Sequence, residues 1–147
     1  MIHQLRYHMN FVLLMARACA GKNALSEAKC QSVLPLDTVV TVLLSERIAR
    51  KVQLVFTQFL ADVYFETEIV EIRTSLSTDT MVWKVIGAWT ATVQLLKSTV
   101  ELAGGEMPAP DLPYVFDGIL PALRDFYRYV YVFVSALPLF PLARRSR

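Results

Sequence analysis

Four groups of residues have the types and spacing that could do chemistry. Gly21-Lys22-Asn23 stands between two apolar runs, where a phosphate-cradling loop could lie. It lacks the G-x-x-x-x-G-K-[ST] spacing of such a loop and follows no strand, so Lys22 reads as a solvated charge beside a helix end. Cys30 could be a nucleophile only with a base beside it, and both histidines, His3 and His8, lie in the first predicted helix. A lone helical cysteine reads as a small buried apolar group. Glu66, Glu68 and Glu71 invite a calcium reading. Calcium wants 6–8 oxygens from a flexible, several-acid loop, whereas Thr67, Ile69 and Val70 interrupt here. The three read as a solvated acidic edge at a helix junction. Trp83 and Trp89 sit six apart on one predicted helix and so face differently, one towards a core and the other towards an interface. No catalytic, cofactor-binding or metal-binding residue follows from these patterns, and they specify no enzyme.

The elements that must position these residues are all helices. The first is expected from His3 to Ala20, with Leu5, Met9, Val12, Leu13 and Ala16 in one stripe. Gly21 ends it in the left-handed conformation. Asn23 caps a second helix carrying Leu25, Ala28 and Val33, which stops near Leu34 because Pro35 follows. Asp37 is expected to cap a third, Thr38 to Leu44. A fourth spans Arg47 to Tyr64, with Ile48, Val52, Val55, Phe56, Phe59, Leu60 and Val63 on its apolar face and Thr57 and Gln58 pointing elsewhere. A short helix carries Ile69 and Ile72. Asp79 or Thr78 caps a long helix through Leu102, ended by Gly104 and Gly105. GGEMPAPDLP is a loop, and a last helix runs from Pro113 to Leu137, bent or restarted at Pro121.

This pattern predicts an all-α chain: one helical domain over 1–137 and an irregular basic tail over 138–147. With no clean period, it leaves open a helical solenoid or a compact bundle. The 147 residues fit one domain. The apolar share of 54% and mean hydropathy of +0.40 exceed what a small isolated globule comfortably hides. A net charge of +2 does not argue for nucleic acid. Two cysteines make no disulfide framework, and the apolar run Phe11–Ala16 is too short for a secretory core, so reduced thiols are expected. Tyr129–Ala143 is uncharged but short of the roughly 20 residues that span a bilayer. A buried helix with an irregular end is the reading there, ahead of a membrane anchor.

Several ordered stretches resemble the inositol trisphosphate receptor family, intracellular calcium-release channels related to ryanodine receptors. They are YHMNFVLLMARACAGKN, SEAKCQSVLPLD, FTQFLADVYFETE and Met81-Val-Trp-Lys84, with ILPALRDFYRYVYVFV more loosely similar. Ala24-Leu25 and Phe65-Glu66 depart from the family's habit. The resemblance implies an armadillo-like helical solenoid segment of the ryanodine and inositol trisphosphate receptor homology (RIH) type. It would be part of the cytosolic region, at the endoplasmic reticulum membrane, between the ligand-binding core and the pore. Its implied role is to couple ligand binding to gating, with no pore or ligand core of its own. The implied partners are other domains or subunits of a tetrameric channel, and the membrane is reached only through the rest of that channel. A stand-alone helical interaction scaffold is the alternative. In the family reading Gly21-Lys22-Asn23 becomes a helix–helix joint and Lys29-Cys30 part of a short packed helix.

Overall fold

The structure, a computed structural model, describes residues 2–102, 104 and 112–132. These are all-helical, without a strand among them. The expected loop around Met107, Gly105, Pro138, Pro141, the end of the Tyr129–Ala143 segment and the tail from 138 lie outside the described residues.

Helix α1 runs Ile2–Cys19, α2 Ala24–Val33 and α3 Leu36–Leu44. Helix α4 runs Arg50–Phe59 and passes directly into a π-helical turn, Leu60–Phe65. Helices α5, Val70–Thr78, and α6, Thr80–Leu102, follow. The last helical segment alternates: a π turn Tyr114–Ile119, α7 Leu120–Asp125, and a π turn Phe126–Tyr131.

The joints follow expected chemistry in most places. Gly21 has φ 98°, and Lys22 shares the positive φ at 62°, so the α1–α2 joint uses two left-handed residues in succession. Asn23 Oδ1 accepts from Ser26 N–H at 3.1 Å, and Asp79 Oδ1 accepts from Met81 and Val82 N–H at 2.8 and 3.0 Å. Asp37 does not cap α3. Pro35 holds that position in extended conformation, and Asp37 sits in the first turn. There its charge still suits the positive end of the helix dipole. Helix α4 starts at Arg50 rather than Arg47, with Ile48 left in the preceding turn.

The core forms around α4 and its π turn, which pack against α1, α3, the Tyr114–Ile119 turn and α7. Phe59, Leu60, Val63 and Phe65 are fully buried, along with Leu76, Ile86, Ile119 and Phe126. Glu66 N–H reaches Ala61 O, five residues back, at 3.1 Å. That widened turn explains why Val63, Tyr64 and Phe65 can all be buried in succession. Gly118 is where the last helical segment meets α4: a Cβ there would approach Leu54 Cδ1 to 2.9 Å.

Facing departs from expectation in three helices. In α2 the residues turned inward are Glu27 and Cys30, while Leu25, Ala28 and Val33 are exposed. In α1 the inward residues are Val12, Met15, Ala16 and Cys19, and Leu5 is exposed. In α4 Thr57 is fully buried, because three neighbouring elements surround that helix instead of one.

Two substitutions test this packing through urea denaturation followed by circular dichroism. Phe59→Ala empties a fully buried site and is expected to cost about 3–5 kcal/mol. Thr57 Oγ1 has no hydrogen-bond partner among the described residues. Thr57→Val replaces that hydroxyl at nearly constant volume and is expected to add about 1 kcal/mol. A stability loss in Thr57→Val as large as that of Phe59→Ala would contradict the burial of that face.

Candidate functional site

The structure scatters the residues that the sequence singles out. Lys22 Nζ lies 5.5 Å from the centre of the Tyr129 ring, so its charge serves the contact between the α1–α2 joint and the last helical segment. His3 and His8 are exposed on α1, whereas Cys30 is buried, with its Sγ donating to Met15 O at 3.8 Å. Cys30 instead stands beside Cys19. Burial, then the hydrogen bond with Cys30, pushes the Cys19 thiol up to about 12. A thiol held that high carries no thiolate at neutral pH, which is the form nucleophilic chemistry needs. Trp89 is buried and donates to Tyr114 Oη at 3.2 Å. Trp83 is partly exposed, donates to Ser77 O at 2.7 Å and meets the Phe126 ring edge-on at 5.2 Å.

Glu68 and Glu71 are exposed, as a solvated edge requires, but Glu66 is half-buried and turned inward. It lines a cleft of about 340 Å³ together with Asp62, Asp117 and Asp125, with Arg17 and Arg124 on the same walls. The cleft exists because the π turn places Asp62 and Glu66 on the side facing α7, while α1 brings Arg17 across. Arg124 Nε donates to Asp125 Oδ1 at 2.8 Å. Burial, then the charges of Glu66 and Asp125, pushes Asp62 up to about 6, against a smaller opposing pull from Arg17. Burial and then Asp125 also raise Glu66, with Lys22, Arg124 and Arg128 opposing. The arrangement lets Asp62 keep its proton into mildly acidic pH, up to about 6, at a junction of three elements. Among the described residues no three His, Cys, Asp or Glu side chains converge to hold a metal ion.

A second polar cluster centres on the buried side chains of Glu27, Thr67 and Gln53. Glu27 Oε2 accepts from Thr67 Oγ1 at 2.8 Å and from Glu68 N–H at 3.0 Å. Gln31 Nε2 donates to Val63 O at 2.9 Å, and Tyr64 Oη donates to Leu34 O at 2.9 Å. Gln53 Nε2 donates to Ser45 O at 2.9 Å while its Oε1 accepts from Arg50 at 2.8 Å. These side chains tie helix ends and turns together, and among the described residues only Glu27 Oε1 of this cluster is buried without a hydrogen-bond partner.

Sequence reasoning missed Asp62, Asp125 and Glu27. The signal for Asp62 was present: it stands one helical turn before Glu66, inside the otherwise apolar run LADVYF. Glu27 and Gln31, four apart, form a polar stripe on α2 in the same way.

No known family profile matches the chain. Comparison with curated proteins gives a partial relative. The chain is 35% identical over 65 residues to the inositol 1,4,5-trisphosphate receptor itr-1 of Caenorhabditis elegans, a match taking in 44% of this chain and 2% of the receptor. The likeness agrees with the family that the quoted stretches resemble, over a small part of a much longer protein.

The raised Asp62 has a pH signature. Between its ordinary value of 3.8 and about 6, the folded chain keeps a proton that the unfolded chain has released. Stability owed to Asp62 therefore falls as pH rises through that window and stays lost above it. Asp62→Asn removes the penalty. It is expected to be about 1–2 kcal/mol more stable than the natural chain at pH 7, after allowing for partial solvent screening. The difference should close towards pH 4. Urea midpoints measured across this range check it; a gap independent of pH would contradict the assignment.

Proposed function

We propose that this chain is a packing segment of the cytosolic helical region of an inositol trisphosphate receptor-like calcium-release channel, where it passes movement between neighbouring units. The observation that carries the reading is the 35% identity to the nematode receptor over 65 residues. The all-helical architecture supports it. So do the buried thiols and the cleft carboxylates that share their walls with Arg17 and Arg124. The armadillo-like arrangement of RIH type, one helical domain over 1–137 and a tetrameric setting at the endoplasmic reticulum membrane belong to this proposal. So does the absence of catalysis. Exposed apolar residues on α2, Leu25 and Val33, are what a unit with stacked neighbours would present. No helix among the described residues is long and apolar enough to cross a membrane.

In such a segment the helices act as levers, and the ligand is held elsewhere. Arg47, Arg50 and Lys51 are the nearest approach to a phosphate-binding cluster. Arg50, however, lies 4.9 Å from the centre of the Tyr114 ring and donates to Gln53. Movement would pass by rigid-body displacement of packed helices.

A chimera tests the role. The matched residues of this chain, placed in the nematode receptor, are expected to leave inositol trisphosphate affinity unchanged and to support ligand-evoked calcium release. Adding Phe59→Ala should lower release at unchanged affinity. The chain alone should show no saturable micromolar binding of inositol trisphosphate by calorimetry. Tight binding by the isolated chain, or release indifferent to Phe59→Ala, would overturn the reading.

A further inference from the structure

Helix α1 has two apolar faces. One is turned to the core through Val12, Met15, Ala16 and Cys19. The other consists of Tyr7, Phe11 and Leu14, at i, i+4 and i+7, so they align as one stripe on the side away from those residues. Their exposures are 73%, 41% and 64%. Arg6 and Arg17, three turns apart, run along one flank of this stripe with His3. On α1, α2 and the joint between them the exposed charges are cationic, although Arg17 also borders the cleft carboxylates and Lys22 the Tyr129 ring. Across residues 1–36 the cations are Arg6, Arg17, Lys22 and Lys29, and all four are exposed. The one carboxylate in that stretch, Glu27, is fully buried. The chain's near-neutral total therefore hides a basic, apolar pole.

We propose that the outer face of α1 docks on an anionic lipid bilayer, lying in its interfacial plane. Tyr7, Phe11 and Leu14 would sit at the headgroup–acyl boundary, with Arg6 against lipid phosphates. An amphipathic helix with apolar and aromatic residues on one side, cations beside them and no acid has the composition that binds such interfaces. The charge argues against a second copy as occupant. Two such faces would bring Arg6 and Arg17 of each copy together with no exposed carboxylate on α1 or α2 to receive them. The face is a convex helical ridge, which a fluid boundary accommodates without a shaped groove. This docking requires no spanning segment.

Cosedimentation of the full chain with phosphatidylcholine vesicles, with and without phosphatidylserine, tests the proposal. Binding is expected only with phosphatidylserine and should weaken as salt is raised. Arg6→Gln should lower the partition coefficient about fivefold. The double variant Tyr7→Glu and Leu14→Glu should lower it about tenfold or more, through lost apolar contact and added negative charge. Both substituted side chains are exposed, so circular dichroism should be unchanged. Leu95→Glu, at an exposed apolar residue of α6, is expected to bind like the natural chain. The proposal is overturned by equal partition onto both vesicle types, by loss of binding in Leu95→Glu but not in the double variant, or by a lipid-free dimer in light scattering that the double variant dissolves.

Discussion

Helix ends leave carbonyls and N–H groups without partners, and in this chain several of those ends lie in the interior. The structure depends on how they are paired. Helices α2 and α3 are 10 and 9 residues long, too short to persist alone in water. Each is fastened by a side chain from α4 or its π turn. Tyr64 reaches Leu34 O past the end of α2, and Gln53 reaches Leu43 O and Ser45 O at the end of α3. From the other side, Gln31 and Glu27 of α2 bind Val63 O, Thr67 and Glu68 around the end of the π turn. Apolar burial supplies most of the driving force, but it is non-directional. These bonds fix which residue of one helix meets which of another.

The same constraint shapes the last helical segment. Pro121 has no N–H, so the carbonyl of Asp117, four residues earlier, loses its α-helical partner. Gln58 Nε2 of α4 approaches that oxygen at 3.4 Å, and Leu120 N–H bonds five residues back to Val115 O. The segment therefore passes Pro121 in a π-to-α transition without stopping there. Gly118 lets α4 come close one turn before the proline. Beyond it Phe126 joins Phe65, Trp83 and Tyr127 through edge-to-face rings 5.2–5.4 Å apart, which binds α6 and the central π turn to this segment.

These bonds also show why the sequence was legible in some places and not in others. Helix starts and stops at Gly21, Asn23, Pro35 and Asp79 were readable because local chemistry sets them. The apolar face of α4 was readable because Phe56, Phe59 and Val63 follow one period. Facing failed where a helix is apolar on two sides, as in α1, since hydrophobicity then cannot choose between Leu5 and Met15. It failed in α2 because the inward position goes to Glu27, selected by the Thr67 hydroxyl and Glu68 N–H 40 and 41 residues away. No periodicity in a ten-residue helix carries that information. The carboxylate cleft was half legible: the Asp62–Glu66 spacing is local, but the approach of Asp125 depends on how the last helical segment crosses the π turn.

Polar fastening also limits how the structure can move. Sliding α2 along the π turn by one residue would unpair the Glu27, Gln31 and Tyr64 contacts together. Leaving a buried polar group unsatisfied costs about 1–3 kcal/mol each. Three such losses approach the whole stability of a small domain, about 5–15 kcal/mol, so gradual sliding is closed off. The joints are different. At Gly21-Lys22 and at Ser45–Ala49 the chain turns through exposed or half-buried residues, with few interior bonds to break. Displacement confined to these joints would carry each helix as a unit. The bonds that fasten the interior are thus the ones that keep each helix rigid while the joints bend.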